Sequence, residues 1–225
     1  MTQPAGSPRL RPMRLKSDFV PPSPSERIAD GVVQGINVLL AAAGCVALGV
    51  LVEPYTTAPR AAALAAYGAG LLAMVGCSAL YAWGRLGRRR ELFRHLDQAA
   101  IFVMIAGTYT PLILAAPTGS HRLGLLAVIW AIAVAGALLK LLAPRRFEPF
   151  VVPLYLIMGW AILSDPGLIL SLPAAVAALL VAGGVLYSVG VIFHLARMRY
   201  QEAIWHGFVL AAAACHYAAI VRAVA

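Results

Sequence analysis

The chain has 225 residues, of which 61% are hydrophobic and 12% charged, and its formal net charge is +9. A water-soluble domain carries about twice that charged fraction, so this composition and a mean hydropathy of +0.83 exclude a soluble globular fold. The apolar runs are continuous and do not alternate with a period of two, which excludes a membrane β-barrel. We therefore predict an all-α, polytopic membrane protein.

The cations are spread over short connectors between the apolar runs and do not form one patch. This distribution is typical of membrane topology signals and of contact with anionic lipid headgroups, so we expect no nucleic-acid partner. Three cysteines (Cys45, Cys77 and Cys215) lie inside apolar runs. We interpret them as small buried hydrophobic residues, and not as a disulfide framework or a thiolate zinc site.

Residues 1–25 contain six prolines and four scattered cations. Such a segment has too little apolar area to order itself, so we predict a flexible cytoplasmic tail ahead of a membrane domain at residues 26–225. The first apolar run begins too late and is too long for the hydrophobic region of a signal peptide.

Seven apolar runs follow the tail, and each is close to the roughly 20 residues needed to cross a bilayer. The fifth run is short and interrupted by Pro153, and the sixth has an alternative start at Pro173. The sequence therefore predicts a seven-transmembrane helix bundle. The predicted spans are residues 32–52, 61–83, 98–116, 123–142, 149–164, 169–194 and 203–224.

The orientation follows from the positions of Lys and Arg. The tail and the connectors after the second, fourth and sixth spans hold all but three of the 18 cations. The opposite side has Arg60, Arg122 and Arg222 only. The positive-inside rule therefore predicts a cytoplasmic N-terminus.

This topology places several polar residues in the cytoplasmic half of the bundle. Glu202 and His206 are four residues apart, so they share one face of the seventh span. Together with Asp97 they suit a metal site, a proton path or a hydrogen-bonded lock. Asp97 has a structural alternative as the N-cap of the third helix. The residues expected at this depth are Gln34, Ser78, Asp97, Gln98, Glu202 and His206.

Five segments resemble the hemolysin III family, the bacterial branch of the progestin and adipoQ receptor superfamily. They occur in the family's order: SERIADGVVQGIN, CSALYAWG, RRRELFRHLDQAAIFVMIAGTYTP, GGVLYSVGVIFH and EAIWHGFVLAAAACHYAAI. The third segment turns apolar after its arginine run and closes on a Gly-Thr-Tyr-Thr-Pro corner at Pro111. The resemblance implies a seven-helix bundle in a bacterial inner membrane with a zinc ion in its cytoplasmic half.

The family's usual zinc pattern is Ser-x-x-x-His near the end of span two, Asp at the start of span three and His-x-x-x-His entering span seven. The resemblance therefore implies catalytic roles for Asp97 and Ser78. It implies metal-ligand roles for His206, Glu202 and Asp97. Related receptors and alkaline ceramidases resemble zinc-dependent lipid amide hydrolases, in which zinc polarises the amide carbonyl and activates water.

The chain departs from this pattern at its ligands. Ala82 and Glu202 occupy positions where the family usually has histidine, and Gln34 and Gln98 replace two further histidines. Two interpretations remain open. Either Glu202 joins Asp97 and His206 in a weak zinc site, or the metal is absent and polar side chains form a plug. The loss of imidazole ligands favours the metal-free interpretation.

We therefore predict an integral membrane protein that acts in membrane-lipid or membrane-energy homeostasis, with membrane lipids as partners and either no cofactor or weakly bound zinc. Whether the protein is an enzyme is left open. One alternative is a metal-dependent lipid amide hydrolase that uses Asp97 and His206 with Glu202 as a substitute ligand. Ion or proton transport, or pore formation, is another alternative.

Overall fold

The computed structural model describes residues 22–52, 57–116, 120–196 and 198–224. Regular structure within these ranges is helical throughout. Most of the predicted tail falls on residues 1–21, which lie outside the described residues, so the tail stays a prediction.

The described residues form eight α-helices, and seven of the helical segments are long and apolar enough to cross a membrane. The prediction of an all-α bundle with seven spans is therefore confirmed. A 3-10 helix (Ala161–Ser164) extends the fifth span, and a short helix precedes the sixth. The α-helices are α1 (Pro24–Val52), α2 (Ala58–Gly84), α3 (Arg90–Ala115), α4 (Ser120–Leu142), α5 (Pro144–Trp160), α6 (Pro166–Ser171), α7 (Ala174–Leu195) and α8 (Gln201–Val224).

Helix α1 begins eight residues before the predicted span because a capping box stabilises its first turn. The Ser23 amide donates to the Glu26 carboxylate at 2.8 Å, and the Glu26 amide donates back to the Ser23 hydroxyl at 3.3 Å. This reciprocal pair satisfies backbone N–H groups that a helix start leaves free. The earlier start places Asp30 inside the helix.

Helix α3 also begins earlier than predicted, at Arg90, and its N-cap residue is Arg89. Asp97 lies about two turns inside the helix, so the interpretation of Asp97 as an N-cap is wrong. The predicted corner at Pro111 is also wrong, since α3 continues through this proline to Ala115. A proline ring removes one helical hydrogen bond without ending the helix here.

The Gly-Thr-Tyr-Thr-Pro segment instead joins α3 to the end of α5. The Tyr109 hydroxyl donates to the Met158 carbonyl at 2.9 Å and accepts from the Ile162 amide at 2.8 Å. These bonds satisfy backbone groups where α5 changes to the 3-10 helix. Tyr109 therefore fixes the end of the fifth span against the third.

Helix α3 is central, with contacts to α2, α4, α5 and α8, whereas α1 packs between α2 and α8. One apolar core is shared by α1, α2, α3 and α8, and a second lies between α3, α4 and α5. Large apolar side chains such as Leu39, Leu142 and Ile192 are well exposed on the outside. Such an outer surface is suited to lipid, because lipid tails are as apolar as leucine.

Candidate functional site

A cluster of polar side chains lies inside the bundle, near the ends at which α1 and α8 begin. On α1, Asp30, Gln34 and Asn37 follow one another at spacings of four and three residues, which places them on one helix face. Asp30 is 2% exposed and Gln34 is fully buried. The polar cluster comprises Asp30, Gln34, Asn37, Ser78, Arg85, Asp97 and His206.

His206 is held at both ring nitrogens. Its Nδ1 lies 2.6 Å from Oδ1 of Asp30, and its Nε2 lies 3.1 Å from Oγ of Ser78. A carboxylate only accepts hydrogen bonds, so the Nδ1–H group donates to Asp30. In the neutral imidazole, Nε2 is then the acceptor for the Ser78 hydroxyl.

The amides of α1 continue this hydrogen-bonded chain. The Gln34 side chain donates from Nε2 to Oγ of Ser78 at 2.8 Å, and Asn37 donates from Nδ2 to Oε1 of Gln34 at 3.4 Å. Oδ1 of Asn37 is buried and has no hydrogen-bond partner among the described residues. An unpaired buried acceptor costs about 1–3 kcal/mol, so this atom marks a place for a donor.

Arg85 supplies a buried positive charge beside Asp30. Its Nη2 lies 3.1 Å from Oδ2 of Asp30 and 3.8 Å from Oε2 of Glu202. The guanidinium also lies 4.8 Å from the centre of the Tyr81 ring. Since a buried carboxylate needs a compensating partner, Arg85 and His206 together hold Asp30 in the bundle.

Asp97 lines the same small cavity as Ser78 and His206, with a volume of about 40 Å³. Its carboxylate also approaches the Ser78 hydroxyl, so Asp97 competes with Nε2 of His206 for the single proton of that hydroxyl. The structure therefore brings together three residues that the sequence singled out, namely Asp97, Ser78 and His206. The catalytic roles given to Asp97 and Ser78 stay predictions.

Two other residues expected at this depth lie elsewhere. Glu202 is 31% exposed and approaches Arg85, and it does not line the cavity around His206. Gln98 also lies outside that cavity, and its backbone carbonyl accepts a hydrogen bond from Tyr155. Residues that lie at the same depth in the membrane therefore do not all belong to one site.

The side chains of the polar cluster do not fit a zinc ion. Zinc sites in proteins use three or four ligands, with histidine and cysteine prominent. His206 is the cluster's one imidazole, and both of its nitrogens already have partners within the protein. Across the described residues, no three His, Cys, Asp or Glu side chains are grouped in a way that suits a metal. The metal set of His206, Glu202 and Asp97 stays a prediction.

Asp30 and Arg85 are site residues that the sequence analysis missed. Asp30 lay outside the predicted first span, and Arg85 was counted only as a topology signal. The spacing of Asp30, Gln34 and Asn37 was the available indication, because it forms one polar face on a helix.

An apolar cleft of about 400 Å³ adjoins the polar cluster, and we call it the α1–α8 cleft. It lies between α1, α2 and α8, and Leu40 at its edge is 55% exposed, so the cleft opens on the outside of the bundle. Four residues line both this cleft and the small polar cavity: Asn37, Met74, Val75 and Val209. The cleft and the polar cavity are therefore neighbours that share one wall.

Comparison with known proteins agrees with this architecture. The family model described as "Haemolysin-III related" matches residues 31–217. The chain is 34% identical over 194 residues to the "Hemolysin-3 homolog" of Bacillus subtilis (strain 168), covering 85% of this chain and 91% of that protein. It is 36% identical over 191 residues to "Hemolysin-3" of Bacillus cereus, covering 84% and 87% of the two chains.

A more distant human relative is the "Monocyte to macrophage differentiation factor", which is 29% identical over 163 residues, or 68% of this chain and 67% of the relative. No solved structure gives a significant match. The family match, the two bacterial relatives and the seven apolar helices agree on a multi-pass integral membrane protein. The chain belongs to the haemolysin-III related family.

Proposed function

We propose that this protein binds a membrane lipid in the α1–α8 cleft and acts in membrane-lipid homeostasis, in a bacterial inner membrane, through a metal-free form of the polar site. The supporting observation is that the apolar cleft and the small cavity of the polar cluster share one wall, formed by Asn37, Met74, Val75 and Val209. A lipid needs both environments, because its chain is apolar and its headgroup is not.

The size of the cleft suits one acyl chain. Its volume of about 400 Å³ falls within the roughly 300–1,000 Å³ that is usual for small-molecule sites. The buried Oδ1 of Asn37 lies at the junction and has no partner among the described residues. We therefore expect a lipid that carries a hydroxyl or an amide N–H close to the end of its chain.

Native mass spectrometry of the purified full chain with defined lipids tests this proposal. Ala214 is an exposed cleft residue, so Ala214→Trp blocks the cleft without burying the new ring in the core. We expect at least tenfold weaker lipid binding for this variant. Ala211→Trp, on an exposed position of the same helix outside the cleft, is the matched control. Equal lipid binding by Ala214→Trp and the wild-type protein would refute the proposal.

Asn37→Leu tests the expected headgroup chemistry. Because leucine has no acceptor, the preference for lipids with a hydroxyl or N–H donor should disappear, while lipids without that donor keep their affinity. Unchanged preference would mean that Asn37 does not contact the ligand.

Proton transfer is a second candidate, favoured by the buried contacts that link Asp30, His206, Ser78 and Asp97. Hydrogen-bonded chains of this kind can pass protons between ionisable groups. The test is proton flux into liposomes containing the protein, compared between wild type and His206→Gln. Equal flux would exclude this chain as the path. The metal-dependent amide hydrolase is tested separately by elemental analysis of the purified protein.

A further inference from the structure

We infer that Ser78, His206 and Asp30 form a nucleophile, base and orienting acid that cleave a fatty acyl ester without a metal ion. The inference rests on the proposed function, because the ester has to be bound in the α1–α8 cleft. It assigns to Ser78 a covalent role that does not depend on zinc.

The two contacts of His206 are those of the histidine in a serine hydrolase when the Ser78 hydroxyl donates to Nε2 and not to Asp97. Nε2 faces the Ser78 hydroxyl at 3.1 Å, and Nδ1 faces the Asp30 carboxylate at 2.6 Å. The first contact allows His206 to take the hydroxyl proton, and the second fixes the tautomer that can do so. Such a triad is defined by its geometry, and the chain order Asp30, Ser78, His206 is no obstacle.

Arg85 and Gln34 supply the electrostatic surroundings. The guanidinium of Arg85 pairs with the Asp30 oxygen that does not face His206. The other oxygen of the same carboxylate faces His206, where its negative charge stabilises the imidazolium that forms during the reaction. Nε2 of Gln34 lies 2.8 Å from Oγ of Ser78 and has a second N–H group for the negative oxygen that develops on an attacked carbonyl.

The chemistry is ester hydrolysis in two steps. Oγ of Ser78 bonds to the ester carbonyl carbon while its proton moves to Nε2 of His206. The bond from carbon to the leaving alcohol then breaks, and Nε2–H protonates the leaving oxygen. Water attacks the acyl-serine, gives its proton to Nε2, and the fatty acid leaves as Oγ of Ser78 recovers that proton. The sum is ester plus water giving acid plus alcohol.

Covalent labelling tests the nucleophile directly. The full chain in lipid nanodiscs is treated with an alkyl fluorophosphonate, and the adduct is located by intact mass and peptide mapping. We expect one adduct on Ser78, absent in Ser78→Ala. Ser188→Ala is the matched control, since Ser188 is a hydroxyl in another span that donates to the Gly184 carbonyl. The label should be unaffected by a chelator.

Two further variants test the triad, one at its base and one at its positioning residue. His206→Gln removes the base, and Asp30→Asn removes the charge that orients it. General-base catalysis contributes on the order of 100-fold or more, so we expect His206→Gln to slow labelling by at least about that factor. Asp30→Asn should slow labelling and shift its pH dependence. Thermal unfolding and lipid binding of each variant show whether it is folded.

The outcomes separate the inference from the proposed function. Lipid binding without an adduct on Ser78 would overturn the triad and leave the proposed function intact. Absence of both lipid binding and the Ser78 adduct would refute both the proposed function and the triad. An adduct abolished by a chelator would assign the chemistry to a metal. A larger loss of rate in Asp97→Asn than in His206→Gln would identify Asp97 as the base, and the triad would be wrong.

Discussion

Nδ1 of His206 lies 2.6 Å from Oδ1 of Asp30, across a sequence separation of 176 residues. The second oxygen of Asp30 lies 3.1 Å from Arg85, which directly follows α2. One buried carboxylate therefore ties the first spanning helix to the second and the last. This contact makes the polar cluster a structural element as well as a candidate site.

Asp30→Asn should be strongly destabilising, because it leaves Arg85 buried without its nearest anion. Breaking a buried ion pair on one side costs about 3–5 kcal/mol. Arg85→Met should have a similar cost. The double variant should lose at least ~1 kcal/mol less than the sum of the single losses, because neither charge is then left alone. Unfolding in mixed micelles measures all four proteins, and additive losses would contradict the pairing.

Lys140 is a second buried charge with an identifiable partner. Its side chain is 0% exposed and pairs with Glu148, whose other oxygen lies 2.7 Å from Arg94. Glu148→Gln should destabilise the bundle by about 2 kcal/mol, less than for a fully buried pair because Glu148 is 41% exposed. Glu91→Gln is the control, since Glu91 pairs with Arg94 at an exposed position and should change the unfolding free energy by less than ~1 kcal/mol. Equal changes in the unfolding free energy of Glu148→Gln and Glu91→Gln would contradict a stabilising role for the Lys140–Glu148 pair.

Asp165 should make stability depend on acid pH. Desolvation alone would raise its pKa, but hydrogen bonds from the Leu168 amide, His121 and Arg122 lower the pKa of Asp165 below its ordinary value. Its stabilising contribution is therefore complete above the unfolded pKa of about 3.9 and is lost as the pH falls through the lower folded value.

Thermal unfolding of wild type and Asp165→Asn between pH 6 and pH 3 measures this contribution. The wild-type protein should unfold at the higher temperature at pH 6, and the difference between the two proteins should shrink toward pH 3. A difference that is constant over this range would show that the Asp165 charge plays no part.

Gly183 of α7 packs closely against α8. A Cβ atom there would lie 2.3 Å from Cδ2 of His216 and 3.1 Å from the Ala212 carbonyl oxygen. Gly183→Ala should therefore cost about 1–3 kcal/mol of stability. Gly76→Ala is the control, because its Cβ meets nothing within 4 Å and alanine favours a helix over glycine by roughly 0.5–1 kcal/mol. A stabilising Gly183→Ala would contradict the close packing.

The orientation in the membrane is tested by cysteine labelling in intact cells, after replacement of the three native cysteines. Arg88 and Ser171 are exposed at opposite ends of the bundle. An impermeant maleimide should label Ser171→Cys from outside and leave Arg88→Cys unlabelled until the cells are opened. The reverse pattern would place the basic end outside and contradict the positive-inside rule.

The seven spans could be predicted from the sequence because lipid imposes a length and an apolar composition that counting detects. The starts of α1 and α3 could not be predicted, because both helices begin with a polar turn that resembles a connector. Helix α1 carries Ser-Glu-Arg there, and α3 carries the arginine run up to Arg94. A capping box stabilises the first turn of α1, whereas the first turn of α3 has no side-chain cap.

The candidate site was predicted only in part, and for a different reason. Asp97, Ser78 and His206 came from a family pattern, and they share one cavity. The sequence also offered Asp97 and Glu202 as partners for His206, whereas the structure pairs it with Asp30. Which carboxylate reaches an imidazole depends on helix rotation and side-chain conformation, and neither can be derived from spacing within one helix.

The order of the cluster along the chain has a consequence for biosynthesis. Membrane helices leave the ribosome in sequence, so α1 enters the bilayer with Asp30 before any partner exists. Arg85 arrives at the end of the next span and is the first group able to neutralise that carboxylate. His206 arrives only with α8, the last helix. The insertion of a two-helix hairpin therefore already balances the charge of Asp30. The polar cluster is complete only after the last helix has been inserted.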